Sequence, residues 1–163
     1  MPGEPRQPGW LALHPIVVAA LVVWLVNDHV LKGTVAGPLP GKLSDIASLV
    51  AFPVLPYSLT ELLLARWGRR VGLGHLVFWA AAAAFVMAAI NLWPAAADAY
   101  RLGLGALQAP FRALAGGGLE LRPVGLTIDA TDLWTLPAAA VPCLVAWRST
   151  TRLARPTRAA VAA

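Results

Sequence analysis

In the run Asn27-Asp28-His29-Val30-Leu31-Lys32, an amide, a carboxylate, an imidazole and an ammonium follow one another closely. Asp28 and Lys32 are four apart, so on a helix they share a face and can form an ion pair. His29 points roughly a quarter-turn away. Further along, Ser44-Asp45 and Thr131-Asp132 each place a hydroxyl before a carboxylate at the head of an apolar run, and Lys42, Asn91 and Asp129 stand at similar run ends. Such groups could bind an ion, a headgroup or a protein partner. Two of the carboxylates could share a proton as acid and base, or carboxylates with His29 could hold a divalent metal. Asp28, His29, Asp45 and Asp132 are the candidates for catalysis. Asn27, Asp28, His29, Lys32, Lys42, Asp45, Asn91, Asp129 and Asp132 are the candidates for ligand binding. The residues name no cofactor.

A plainer account fits part of this set. Ser44 and Thr131 are good helix N-caps, and an acid in the first turn complements the helix dipole. Asp28, His29 and Lys32 fit that account less well, because a helix could continue there with apolar residues. Glu61 reads as a snorkelling surface acid near an arginine cluster, and His14 and His75 as interfacial residues. Several chemistries are excluded. Cys143 is the single cysteine, which removes intrachain disulfides, cysteine-based zinc sites and CxxC redox chemistry. Gly41-Lys42 lacks the first glycine and the hydroxyl residue of a phosphate-binding loop, and neither HExxH nor GxSxG occurs.

The elements that must position these residues follow from composition. The chain has 163 residues, 58% hydrophobic and 13% charged, with a mean hydropathy of +0.66. A soluble domain carries about twice that charge. The charged residues cluster between apolar runs long enough to cross a bilayer. The expected fold is an all-α membrane protein, a four-transmembrane-helix bundle in a single domain with helices at about 12–31, 45–65, 71–93 and 132–148. Pro53 and Pro56 should kink the second helix, and the tract Ala80 to Ala84 in the third permits close packing. The first run has the layout of a signal peptide, with Arg6 as its charged region and Thr34-Val35-Ala36 as a cleavage site. It is taken here as a retained helix.

Arg66, Arg69 and Arg70 fill the link after the second helix, and Arg148, Arg152, Arg155 and Arg158 fill the tail at 149–163 and its edge. Both belong in the cytoplasm, as do both termini. The connection at 32–45 and the long loop at 94–131 then lie outside, and all the candidate site residues gather at the outer boundary. The net charge of +5 is therefore divided among loops and does not indicate nucleic acid. Eleven arginines against two lysines, with abundant Ala, Gly and Pro, point to GC-rich coding and a bacterial inner membrane. The partners expected are the bilayer and a membrane protein or small ligand at the outer face.

Within the outer loop, Ala95 to Ala115 reads as an amphipathic helix. Leu119 to Asp129 reads as two short strands around Pro123, a small cap on the outer face. The hexamers at 44–49 and 131–136 both fit [ST]-D-[IL]-x-[ST]-L, and Asn27 and Asn91 lie near the outer ends of the first and third helices. The chain can thus be read as two tandem helix hairpins. Asp28, His29, Asp45 and Asp132 are expected to converge on one pocket beneath the cap. Transport through such a repeat is disfavoured, since apart from Glu61 the inner halves are apolar.

The segments Asn27 to Lys32, Gly41 to Asp45 and Asp129 to Leu133 resemble a family of small uncharacterised bacterial polytopic membrane proteins. That resemblance implies a multi-pass bacterial protein and carries no activity with it. The chain is also similar, more weakly, to lipoprotein signal peptidase in size, helix number and the Asp28-x-x-x-Lys32 spacing at the end of its first helix. That likeness implies an outward-facing aspartate pair. The Asn- and Asp-bearing catalytic motifs of that family are not recognisable here, and Asp132 stands in Thr-Asp-Leu-Trp instead. The leading reading is a membrane subunit or small-ligand carrier, and the alternative is a membrane-embedded hydrolase of the outer leaflet.

Overall fold

Proline governs where the first helices start. At Pro15 the missing N–H costs nothing, because a first-turn donor has no partner within the helix. α1 (Pro15–Val26) opens there, and His14 caps it by accepting the Ile16 N–H on Nδ1 at 3.3 Å. A short 3-10 helix, Trp10–Leu13, precedes it. The helix then runs through a π turn, Asn27–Leu31, and ends in α2 (Lys32–Thr34). Pro38 and Pro40 start α3 (Leu39–Ala51) in the same manner. This computed structural model describes residues 6–35 and 37–153; Ala36 of the expected cleavage site and the tail residues Arg155 and Arg158 lie outside them.

α3 therefore begins six residues before the expected start at 45. Lys42, Ser44 and Asp45 are helical residues, and the connection shrinks to residues 35–38. Phe52-Pro53 divides the expected second helix into α3 and α4 (Val54–Ala65), since Pro53 has no N–H to continue the ladder. α5 (Leu73–Leu92) and α6 (Pro94–Leu114) match the expected third helix and the amphipathic helix. The expected fourth helix is a 3-10 helix, Ala130–Ala140, followed by α7 (Val141–Leu153). Pro137 and Pro142 each withdraw a donor from that stretch.

All regular structure among the described residues is helical, so the strands expected at 119–129 do not form. The segment pairs with α6 instead. The Val124 N–H donates to the Arg101 carbonyl at 3.1 Å, and Arg101 Nε returns a bond to the Val124 carbonyl at 3.3 Å. Gly105 permits the approach, for a Cβ there would collide with the Arg122 carbonyl oxygen.

The chain forms two compact units, Met1–Ala84 with Thr135–Ala163, and Phe85–Trp134. In the first, α1 packs along α3, and α3 also meets α7. Its core joins Leu11, Val17, Val54, Tyr57, Leu76 and Ala146. Three stretches, Pro15–Thr34, Leu39–Ala65 and Leu73–Leu92, are long and apolar enough to cross a membrane. Much of their apolar surface is bare: Phe85 is 71% exposed and Val22 54%. Apolar surface on this scale fits a hydrocarbon surrounding better than water.

Candidate functional site

The motif Asn27-Asp28-His29-Val30-Leu31 coincides with the π turn. Such turns give up regular i→i−4 bonding and occur mostly where a helix must re-aim side chains. The Lys32 N–H bonds back five residues to the Asn27 carbonyl. Asn27 is fully buried, and its Nδ2 donates to the Pro40 carbonyl at 2.6 Å, fixing the end of the first helix to the start of α3. Its Oδ1 has no hydrogen-bond partner, one of two such buried side-chain atoms among the described residues, with Ser58 Oγ. An unmet acceptor of this kind costs about 1–3 kcal/mol.

Asp28 gathers the rest. Ser44 Oγ donates to its Oδ1 at 2.6 Å, and Lys32 Nζ lies 2.7 Å from the same oxygen. Ser44 is buried inside α3, so the hydroxyl expected to cap a helix clamps a neighbouring helix instead. The Lys32 and Asp28 side chains are 46% and 32% exposed, which leaves the ion pair open to solvent or ligand. Two donors thus converge on one carboxylate oxygen. His29 is exposed beside it.

Lys42 and Asp45 are both half-buried on α3. In the second unit, buried Asn91 donates to the Met87 carbonyl at 3.0 Å and accepts the Asp129 N–H on Oδ1 at 2.9 Å. Asp129 accepts from both the N–H and the hydroxyl of Thr131, at 2.8 and 2.7 Å, and so caps the 3-10 helix. The cap expected at Thr131 is thus two residues earlier, with Asp132 in the first turn. Ser44 lies within a helix and Thr131 at the opening of one, so the two hexamers do not start equivalent elements. Among the described residues, no group of three or more His, Cys, Asp and Glu is placed to hold a metal.

One arrangement escaped the sequence reading. Glu61, taken for a snorkelling acid, accepts the Tyr57 hydroxyl on Oε1 at 2.8 Å and the Gly9 N–H on Oε2 at 3.1 Å. It thereby pins the N-terminal segment to the end of α4. Tyr57 and Glu61 stand four apart, which was the available signal. Arg6 lies 3.8 Å from the centre of the Trp10 ring, and its Nη2 donates to the Ser149 carbonyl at 3.5 Å. His75 Nε2 accepts from Trp79 Nε1 at 3.0 Å, a contact within α5.

Compared with known proteins, the chain matches no protein family, no curated protein and no solved structure.

Proposed function

We propose that the chain is a bacterial inner-membrane protein that crosses the bilayer four times with both termini in the cytoplasm. Its outer end carries a polar site of Asn27, Asp28, His29, Lys32 and Ser44 that receives a small ligand or a polar group of a membrane partner. The carrying observation is the doubly held Asp28 oxygen on the π turn, with the ion pair left accessible. Both groups on Asp28 donate to it, an arrangement that favours binding over acid catalysis. Hydrolysis by a shared-proton aspartate pair lacks comparable support, since the groups that hold Asp28 are a serine hydroxyl and a lysine.

Four spans are favoured by two features. Arg6, Glu61 and Ser149 meet at one end of the first unit, which suits an even number of crossings. At about 2.0 Å per residue in the 3-10 part and about 1.5 Å in α7, residues 132–148 reach about 30 Å, the thickness of a hydrocarbon core. The stretch is therefore longer than a plain α-helix of that many residues.

Photocrosslinking tests the site. A photoreactive residue replacing His29 in cells should give a discrete adduct, to a small molecule or one protein, that disappears in the Asp28→Asn background. Adducts to bulk lipid alone, unchanged by Asp28→Asn, would contradict the assignment.

A further inference from the structure

At the end of the first unit that holds Glu61, a cleft of about 630 Å3 opens between the N-terminal segment, the end of α4, the link to α5 and α7. That volume lies in the range of about 300–1,000 Å3 usual for ligand sites. Arg6, Arg69 and Arg70 line it together with Trp10, Tyr57 and Glu61. Three arginines and one carboxylate line the cleft, and that carboxylate is already held by the neutral donors Tyr57 and Gly9. Among the described residues, the side chains of Arg69 and Arg70 have neither an ion pair nor a hydrogen bond. The cleft lining thus carries surplus positive charge beside apolar residues that include Val71 and Leu73.

Its depth selects among anions. Tyr57 and Glu61 belong to the last turns of the apolar stretch Leu39–Ala65, and Arg69 and Arg70 follow directly after it. Trp10, Ala65, Val71, Leu73 and Ala146 supply the apolar part of the lining. A ligand here meets both guanidinium groups and apolar side chains. We propose that this cleft is a site for an anionic phospholipid, with the phosphodiester on Arg6, Arg69 and Arg70 and the acyl chains leaving over the apolar lining of Val71, Leu73 and Ala146. Guanidinium groups suit phosphate oxygens because they present paired donors, and basic pockets at the cytoplasmic ends of helices take anionic headgroups. The proposal needs the membrane reading but not the outer polar site.

The test is native mass spectrometry of the full chain in detergent micelles doped with dioleoyl-phosphatidylglycerol or dioleoyl-phosphatidylcholine. One phosphatidylglycerol should be retained in preference, and the preference should fall about fivefold for each arginine replaced by glutamine at 69 and 70. Arg6→Gln, outside the helices, should lower it similarly and serves where the double variant is lost in purification. Asp28→Asn should leave it unchanged, which separates this site from the outer one. Equal retention of the two lipids would overturn the proposal. So would full displacement of phosphatidylglycerol by excess inorganic phosphate, because the acyl chains would then contribute nothing.

Discussion

At the scale of single residues, Asp28 decides what the polar end of the first helix can do, and its two partners differ in worth. Ser44 is buried, and a hydrogen bond to a charged group is worth about 1.5–3 kcal/mol when shielded. Lys32 is nearly half exposed, and such i,i+4 pairs contribute about 0.3–0.5 kcal/mol. Ser44→Ala should therefore lower thermal stability in detergent several times more than Lys32→Met. A double-mutant cycle of Ser44→Ala with Asp28→Asn should show coupling of about 1 kcal/mol, and additivity would remove the clamp. The Asp28–Lys32 pair was legible in the sequence because helical spacing alone brings those groups together. The role of Ser44 was not legible, because its partner is sixteen positions away and α3 begins earlier than a hydroxyl cap suggests.

Among the elements, two glycines carry different burdens. Gly68 has φ of 67° with open space around it, and it ends α4 by letting Arg69 bond back to the Leu64 carbonyl. Gly68→Ala should cost about 1–2 kcal/mol, the penalty of a left-handed backbone alone. Gly105 has ordinary helical geometry but no room, so Gly105→Ala must push residues 119–129 off α6. Hydrogen exchange at the Val124 amide should rise in Gly105→Ala and stay constant in Gly68→Ala; equal protection in both would show that the segment does not rest on α6. The amphipathic period and the apolar runs made α1, α5 and α6 visible in advance. The break at Phe52-Pro53 was foreseen as a kink. The 3-10 helix was missed because apolar periodicity does not distinguish it from an α-helix over eleven residues. The strands were misjudged because alternation at Leu119 to Arg122 reflects local pairing of Arg122 with Glu120, at 2.8 Å, and no ladder.

For the whole molecule, the controlling quantity is the apolar surface left on Pro15–Thr34 and Leu73–Leu92, of which only 11% of the residues in each apolar window are buried. Such surface fits a lipid surrounding, and the proposed orientation rests on charge placement. Asn27 and Asn91 are both buried; Asn27 donates to the Pro40 carbonyl in the first turn of α3, and Asn91 accepts the Asp129 N–H just before the 3-10 helix. Substituted-cysteine labelling of intact cells with a membrane-impermeant thiol reagent, in a Cys143→Ala background, tests the central claim most directly. Leu39 and Trp67 are each 70% exposed and lie at opposite ends of the Leu39–Ala65 stretch, and Gly117 lies in the long loop. Leu39→Cys and Gly117→Cys should label from outside, and Trp67→Cys only after permeabilisation. Labelling of Trp67→Cys in intact cells, with Leu39→Cys silent, would place the Asp28 site in the cytoplasm and contradict the account.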